Sequence, residues 1–124
     1  MESIGLVIVS HSKHIAEGVV ELISKVAKDV PITYVGGTEG GGIGTSFDQV
    51  DRVVSENPAD TLLAFFDLGS AKMNLKMVTD FSDKSIIINR VPIVEGAYNA
   101  AALLQAGAEL SVIQTQLAVF EINK

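Results

Sequence analysis

The chain has 124 residues, 48% apolar and 19% charged, with no cysteine and a formal net charge of −6. That length folds as one domain with a core of its own; the missing thiols exclude disulfides, thiolate metal sites and a cysteine nucleophile, and fit a reducing cytoplasm. The acidic balance leaves no basic patch for displacing counterions from nucleic acid or docking on anionic lipid.

Short β-branched runs alternate with longer amphipathic stretches, the pattern of a parallel α/β sheet. Residues 4–9 form the first strand, too short to span a membrane and with no basic stretch before it. A helix is expected over 14–28, with Ile15, Val19, Leu22, Ile23 and Val26 on one face. Pro31 ends the turn, and 32–35 form a second strand. A glycine-dense loop fills 36–44, after which Thr45 or Ser46 caps a helix running through Phe47, Val50, Val53 and Val54 to Asn57 and Pro58. Residues 61–66 are a third strand, continuously apolar as in a sheet covered on both faces. The turn 67–70 leads into a helix over 71–81 carrying Met73, Leu75, Met77 and Val78, with both methionines read as core. A fourth strand follows at 86–89, then a small-residue helix over 97–106 and a last helix over 110–120. A short antiparallel edge strand near 118–122 is the alternative for its end. No repeat, low-complexity segment or linker interrupts the pattern. The fold class is therefore α/β: one domain over 1–124, doubly wound, with a mainly parallel sheet in the order 2-1-3-4 and helices on both faces. The expected location is the cytoplasm.

In such sheets, ligands bind beyond the carboxyl ends of the strands. Ser10, His11 and Ser12 stand after the first strand; Gly36, Gly37 and Thr38 follow the second, with Gly44 and Thr45 farther along the same loop. Asp67, Gly69 and Ser70 follow the third strand, and Asn89 and Arg90 the fourth. Strands one and three are neighbours in this order, which brings His11 beside Asp67. Neutral imidazole is a nucleophile, and a carboxylate that accepts the proton of one ring nitrogen leaves the other free. The same carboxylate steadies the positive ring that phosphorylation creates. Helix N-termini and glycine backbone around the pair attract an anion without lysine. Each residue alone has a plainer reading, a packed histidine or a helix-capping aspartate. Their meeting in one crevice with hydroxyls and glycines favours a phosphoryl carrier. His14 reads as an exposed surface histidine, and Lys13, Lys25 and Lys28 as a solvated face.

Other templates fail. The glycine loop lacks the Gly-Lys-Ser/Thr ending of a P-loop and the G-x-G-x-x-G spacing of a dinucleotide site, and it follows the second strand rather than the first. A receiver domain needs acids after strand one, where this chain has Ser-His-Ser. A histidine phosphatase needs Arg-His-Gly, and Arg52 and Arg90 are too few for a phosphate clamp. Two histidines without ligand-spaced carboxylates give no metal site, and no cofactor is implied.

Four motifs carry a family resemblance: Leu-Val-Ile-Val-Ser-His-Ser at 6–12, Ile-Gly-Thr-Ser at 43–46, Asp-Leu-Gly-Ser-Ala at 67–71 and Pro-Ile-Val-Glu-Gly-Ala at 92–97. Together they resemble the phosphotransferase subunit of bacterial dihydroxyacetone kinase, which is similar to the enzyme IIA domain of mannose-type sugar transport systems. The resemblance spans essentially the whole chain. It implies that HPr, charged from phosphoenolpyruvate by enzyme I, phosphorylates Nε2 of His11, that Asp67 orients the ring, and that Gly69 and Ser70 belong to the loop facing the phosphoryl group. The acceptor it implies is ADP bound to the nucleotide-binding kinase subunit, and homodimers are usual in the family. Ser10, Ser12, Gly37, Thr38, Gly44 and Thr45 are the further phosphate- or partner-binding candidates. Two other readings remain at this point. One is a mannose-type enzyme IIA that donates to a IIB domain; the other is a non-catalytic module binding an anion in the same crevice.

Overall fold

The structure, a computed structural model, describes residues 3–124. Four strands, β1 (Ile4–Ser10), β2 (Ile32–Gly36), β3 (Thr61–Phe66) and β4 (Ser85–Asn89), form one parallel sheet in the order β2-β1-β3-β4. The helices are α1 (Lys13–Ser24), α2 (Phe47–Glu56), α3 (Gly69–Phe81), α4 (Ile93–Gln105) and α5 (Leu110–Ala118). Alternation along the strands sends side chains to opposite faces. Leu6, Ile8, Leu63 and Phe65 meet α1, α4 and α5 on one side, while Val7, Val9, Leu62, Ala64 and Phe66 meet α2 and α3 on the other. The expected doubly wound arrangement is therefore present. In the register, Val9 lies opposite Phe66, so Ser10 and Asp67 emerge next to each other at the end of the paired strands. No helix among the described residues is long and apolar enough to cross a membrane.

Several expected details differ. Helix α1 ends at Ser24 rather than near 28, and it buries Ala16, Val19 and Ile23. Ile15 and Leu22, expected on its inner face, are 47% and 52% exposed. Helix α3 has two apolar stripes to choose from. It buries Ala71, Leu75 and Val78, and leaves Met73 and Met77 67% and 44% exposed, so the methionines are not core. The alanine allows the helix start to lie close on the sheet, which a methionine there would prevent. Helix α4 begins at Ile93, four residues early, with Pro92 at the N-cap position. Its Gly96 is pressed against the segment between β4 and α4: a Cβ there would stand 2.2 Å from Val91 Cγ2. Helix α5 ends at Ala118, and the alternative edge strand does not form among the described residues. A single bond takes its place, from Ile122 N to the Arg90 carbonyl at 2.8 Å.

The end of the sheet remote from His11 is tied by Asn57, 1% exposed. Its Nδ2 donates to the carbonyls of Leu6 (3.1 Å) and Pro31 (3.4 Å), and its Oδ1 accepts from Ala59 N at 3.0 Å. One amide thus joins the entries to three strands. Replacing it with alanine strands buried polar groups, a loss of about 2–3 kcal/mol. Urea unfolding of Asn57→Ala is expected to show that loss in the midpoint.

Candidate active site

Because β1 and β3 end together, the residues just beyond them share hydrogen bonds. The buried Ser10 hydroxyl donates to Asp67 Oδ2 at 2.7 Å and accepts from Ser12 N at 3.0 Å. His11 N donates to the same Oδ2 at 3.0 Å, and Leu68 N donates to Oδ1 at 2.7 Å. The His11 ring completes the set, with Nδ1 2.8 Å from Oδ1. Burial works against ionisation of Asp67, but the bonds from the His11 ring, the Ser10 hydroxyl and the two amides outweigh it. The carboxyl is held below its ordinary value. An ionised carboxylate can only accept, so the hydrogen-bond network assigns the ring proton to Nδ1 and leaves the lone pair on Nε2. Nε2 accepts from the Ser70 hydroxyl. The two side chains are only 14% and 12% exposed, which protects the pair from solvent while its edge stays accessible.

Two helices begin within two residues of this pair. Ser12 caps α1 by accepting from Ile15 N at 3.4 Å. Helix α3 has Leu68 at its N-cap position and no side-chain cap. The first-turn amides of Gly69 and Ser70 have no intrahelical acceptor, and helix starts carry partial positive charge. The arrangement offers one nucleophilic nitrogen, a carboxylate to steady charge on the opposite nitrogen, and dipoles for an incoming anion. Among the described residues, no group of three or more His, Cys, Asp or Glu side chains is placed to hold a metal ion.

The glycine loop reaches the site through its main chain. Gly37 N donates to the Ser10 carbonyl at 3.1 Å, and Gly44 N to the His11 carbonyl at 2.9 Å. Gly44 has φ +139°, a conformation that favours glycine. At Gly36 a Cβ would stand 2.4 Å from the Ser12 carbonyl oxygen, so only glycine lets β2 pass this closely. Among the expected residues, Ser10, Ser12, Gly69 and Ser70 gather at the His11–Asp67 pair. The hydroxyls of the other two candidates are engaged elsewhere: Thr38 Oγ1 accepts from Gly42 N (3.2 Å) and Thr45 Oγ1 from Asn74 Nδ2 (2.7 Å). Ser46, not Thr45, caps α2. His14 is exposed, as expected. Sequence reasoning missed Leu68 as a donor and Lys124, whose Nζ lies 3.4 Å from the Asp67 carbonyl. The Leu68 bond had a signal, since an aspartate side chain often accepts from a nearby main-chain amide.

The depressed Asp67 pKa has a consequence for stability. The unfolded chain binds this proton more readily than the folded one, so the stabilisation is complete above the ordinary carboxyl value of 3.8 and is lost as pH falls below it. Urea midpoints measured from pH 6 down to pH 2.5, a range set by about 2 units around carboxyl titration, are expected to fall less steeply in Asp67→Asn than in the unaltered protein.

The sequence profile of the EIIA-man family, described as the phosphotransferase-system fructose IIA component, matches residues 5–114. The chain is 54% identical to the phosphotransferase subunit of the PTS-dependent dihydroxyacetone kinase of Lactococcus lactis, covering 97% of this chain and 98% of that one. It is 50% identical to the phosphoryl donor subunit of PEP-dependent dihydroxyacetone kinase 1 of Listeria innocua, covering 96% of each. The crystal structure of a protein of unknown function superposes with a TM-score of 0.84 at 26% identity, over 98% of this chain and 97% of that one. A four-stranded 2-1-3-4 sheet, the histidine–aspartate pair at its switch point and this likeness along the whole chain lead to one assignment. The chain belongs to the mannose-type enzyme IIA family of the phosphotransferase system, close to the phosphotransferase subunits of dihydroxyacetone kinase.

Proposed function

We propose that the chain is a one-domain phosphohistidine carrier in which Nε2 of His11 accepts a phosphoryl group from HPr and passes it to ADP on the nucleotide-binding subunit of dihydroxyacetone kinase. The observation that carries this reading is the 2.8 Å contact between His11 Nδ1 and an ionised Asp67, which leaves Nε2 as the nucleophile. In the first transfer the Nε2 lone pair attacks phosphorus, the donor's N–P bond breaks, and its electron pair returns to the donor ring. The proton stays on Nδ1, where Asp67 balances the new positive charge. The Ser70 hydroxyl, which caps Nε2 at rest, turns to donate to a phosphoryl oxygen alongside the Gly69 and Ser70 amides. Ser10 and Ser12 support Asp67 and the start of α1, and Gly37 and Gly44 hold the backbone of the His11 turn. Thr38 and Thr45 stand at the rim, where a docking partner reaches them. In the second transfer a terminal oxygen of ADP attacks phosphorus and the N–P electron pair returns to Nε2.

The kinase acceptor is favoured over a IIB domain by the relatives, both of which are kinase subunits. The HPr donor and the homodimer are what the family resemblance implies, and the cytoplasmic setting is the reading of the cysteine-free sequence. Sedimentation equilibrium tests the dimer, and a mass of one chain would remove it from the reading.

The decisive experiment incubates the chain with phosphoenolpyruvate, enzyme I and HPr, and reads intact mass before and after acid. One acid-labile phosphate is expected, absent in His11→Ala and unaffected in His14→Ala. The phosphorylated chain is then expected to lose its phosphate to the ADP-loaded kinase subunit and not to a mannose-type IIB. No added mass on folded protein would leave an anion-binding regulatory module instead. In the same assay, Asp67→Asn is expected to slow phosphorylation about 100-fold, since an amide cannot balance the charged ring. A rate near that of the unaltered protein would remove Asp67 from the mechanism.

A further inference from the structure

The segment after α5 doubles back across the carboxyl end of the sheet. Ile122 N bonds the Arg90 carbonyl at 2.8 Å, and Arg90 pairs with Glu121 at 2.9 Å. Beyond them, the Lys124 side chain turns inward beneath the site. Its Nζ donates to the Phe66 carbonyl at 2.6 Å, lies 3.4 Å from the Asp67 carbonyl, and sits 4.4 Å from the centroid of the Phe66 ring. Lys72 of α3 secures the same residue from the other side, donating to the Lys124 main-chain oxygen at 2.7 Å.

A lysine ordinarily keeps its ammonium in water. This one exchanges part of its hydration for two carbonyls and an aromatic face, and burial pushes its pKa down while the Asp67 charge partly restores it. The carbonyls it binds belong to the two residues where β3 becomes the turn into α3. That turn carries both groups that touch the His11 ring: Asp67 on Nδ1 and Ser70 on Nε2. Asp67 is thus held by its side chain from the β1 end and by its main chain from Lys124.

We infer that Lys124 is a positioning residue, which fixes the Phe66–Asp67 main chain and thereby the tautomer and orientation of His11. It touches neither the ring nor an incoming phosphoryl group; it acts through the turn. Docking of the 119–124 segment is in this way coupled to the readiness of the acceptor nitrogen. The effect on transfer rests on the reading of His11 as phosphoryl acceptor, whereas the effect on the resting ring does not.

The test therefore reads both. Ring ¹⁵N shifts of His11 report its tautomer in the unphosphorylated protein, and initial rates at varied HPr concentration separate kcat from KM. In Lys124→Met, the Nδ1–H tautomer is expected to lose its dominance and kcat to fall roughly tenfold at unchanged KM, less than the about 100-fold that a 1 Å displacement of a reacting group can cost. Lys124→Arg, which restores a cation on the same carbonyls, is expected to recover most of both. A merely structural contact would lower the melting temperature and leave the tautomer and kcat as they are; that outcome on folded Lys124→Met overturns the inference. If the methionine variant does not fold, the same two readings on Lys124→Gln decide it by the same criteria. Were the unaltered chain to take no phosphate at all, the carrier reading would fail, and the ¹⁵N comparison would still decide the role of Lys124.

Discussion

One carboxylate joins the two halves of the site. Asp67 accepts four hydrogen bonds, two of them from His11, one from Ser10 and one from Leu68. Those donors lie on chain segments far apart in sequence, and they meet only because β1 and β3 are adjacent, parallel and in the register that aligns Val9 with Phe66. Slipping the register by one residue would turn every side chain of a strand to the other face. The two separate cores, one on each side of the sheet, forbid that slip. The energetics of packing and the geometry of the His11–Asp67 pair are in this sense a single constraint.

The charge around the pair is arranged sparingly. Arg90 is engaged with Glu121, and Lys124 is directed at main-chain oxygens beneath the turn. Helix starts and a serine hydroxyl face the ring instead. Neutral dipoles hold a dianion more loosely than a bidentate arginine does. For a group that must be received and then released, loose holding keeps both directions of transfer accessible.

Much of this was legible from residue order. The strand ends are marked by β-branched runs, and the order 2-1-3-4 alone puts His11 beside Asp67. What periodicity could not supply was a choice between competing stripes. Helix α3 carries apolar residues at 71, 75 and 78 and again at 73 and 77, and only the closeness of helix and sheet decides which set goes inward. In α1 the same ambiguity puts Ile15 and Leu22 on the wrong side, because the small Ala16 marks the buried stripe only weakly in the sequence. Lys124 was beyond reach for another reason: its contact with Asp67 spans 57 residues and follows from no local pattern. The bonds that the loop hydroxyls of Thr38 and Thr45 accept from Gly42 and Asn74 depend on loop closure that composition does not encode.

The glycine loop grips the His11 turn with the amides of Gly37 and Gly44, not with side chains. Its outer part is correspondingly unoccupied: a Cβ at Gly40 meets nothing within 4 Å, and Ile43 is 79% exposed. Those positions form a natural grafting point. New side chains can be displayed there, beside the His11 turn, while the main-chain grip on that turn is left intact.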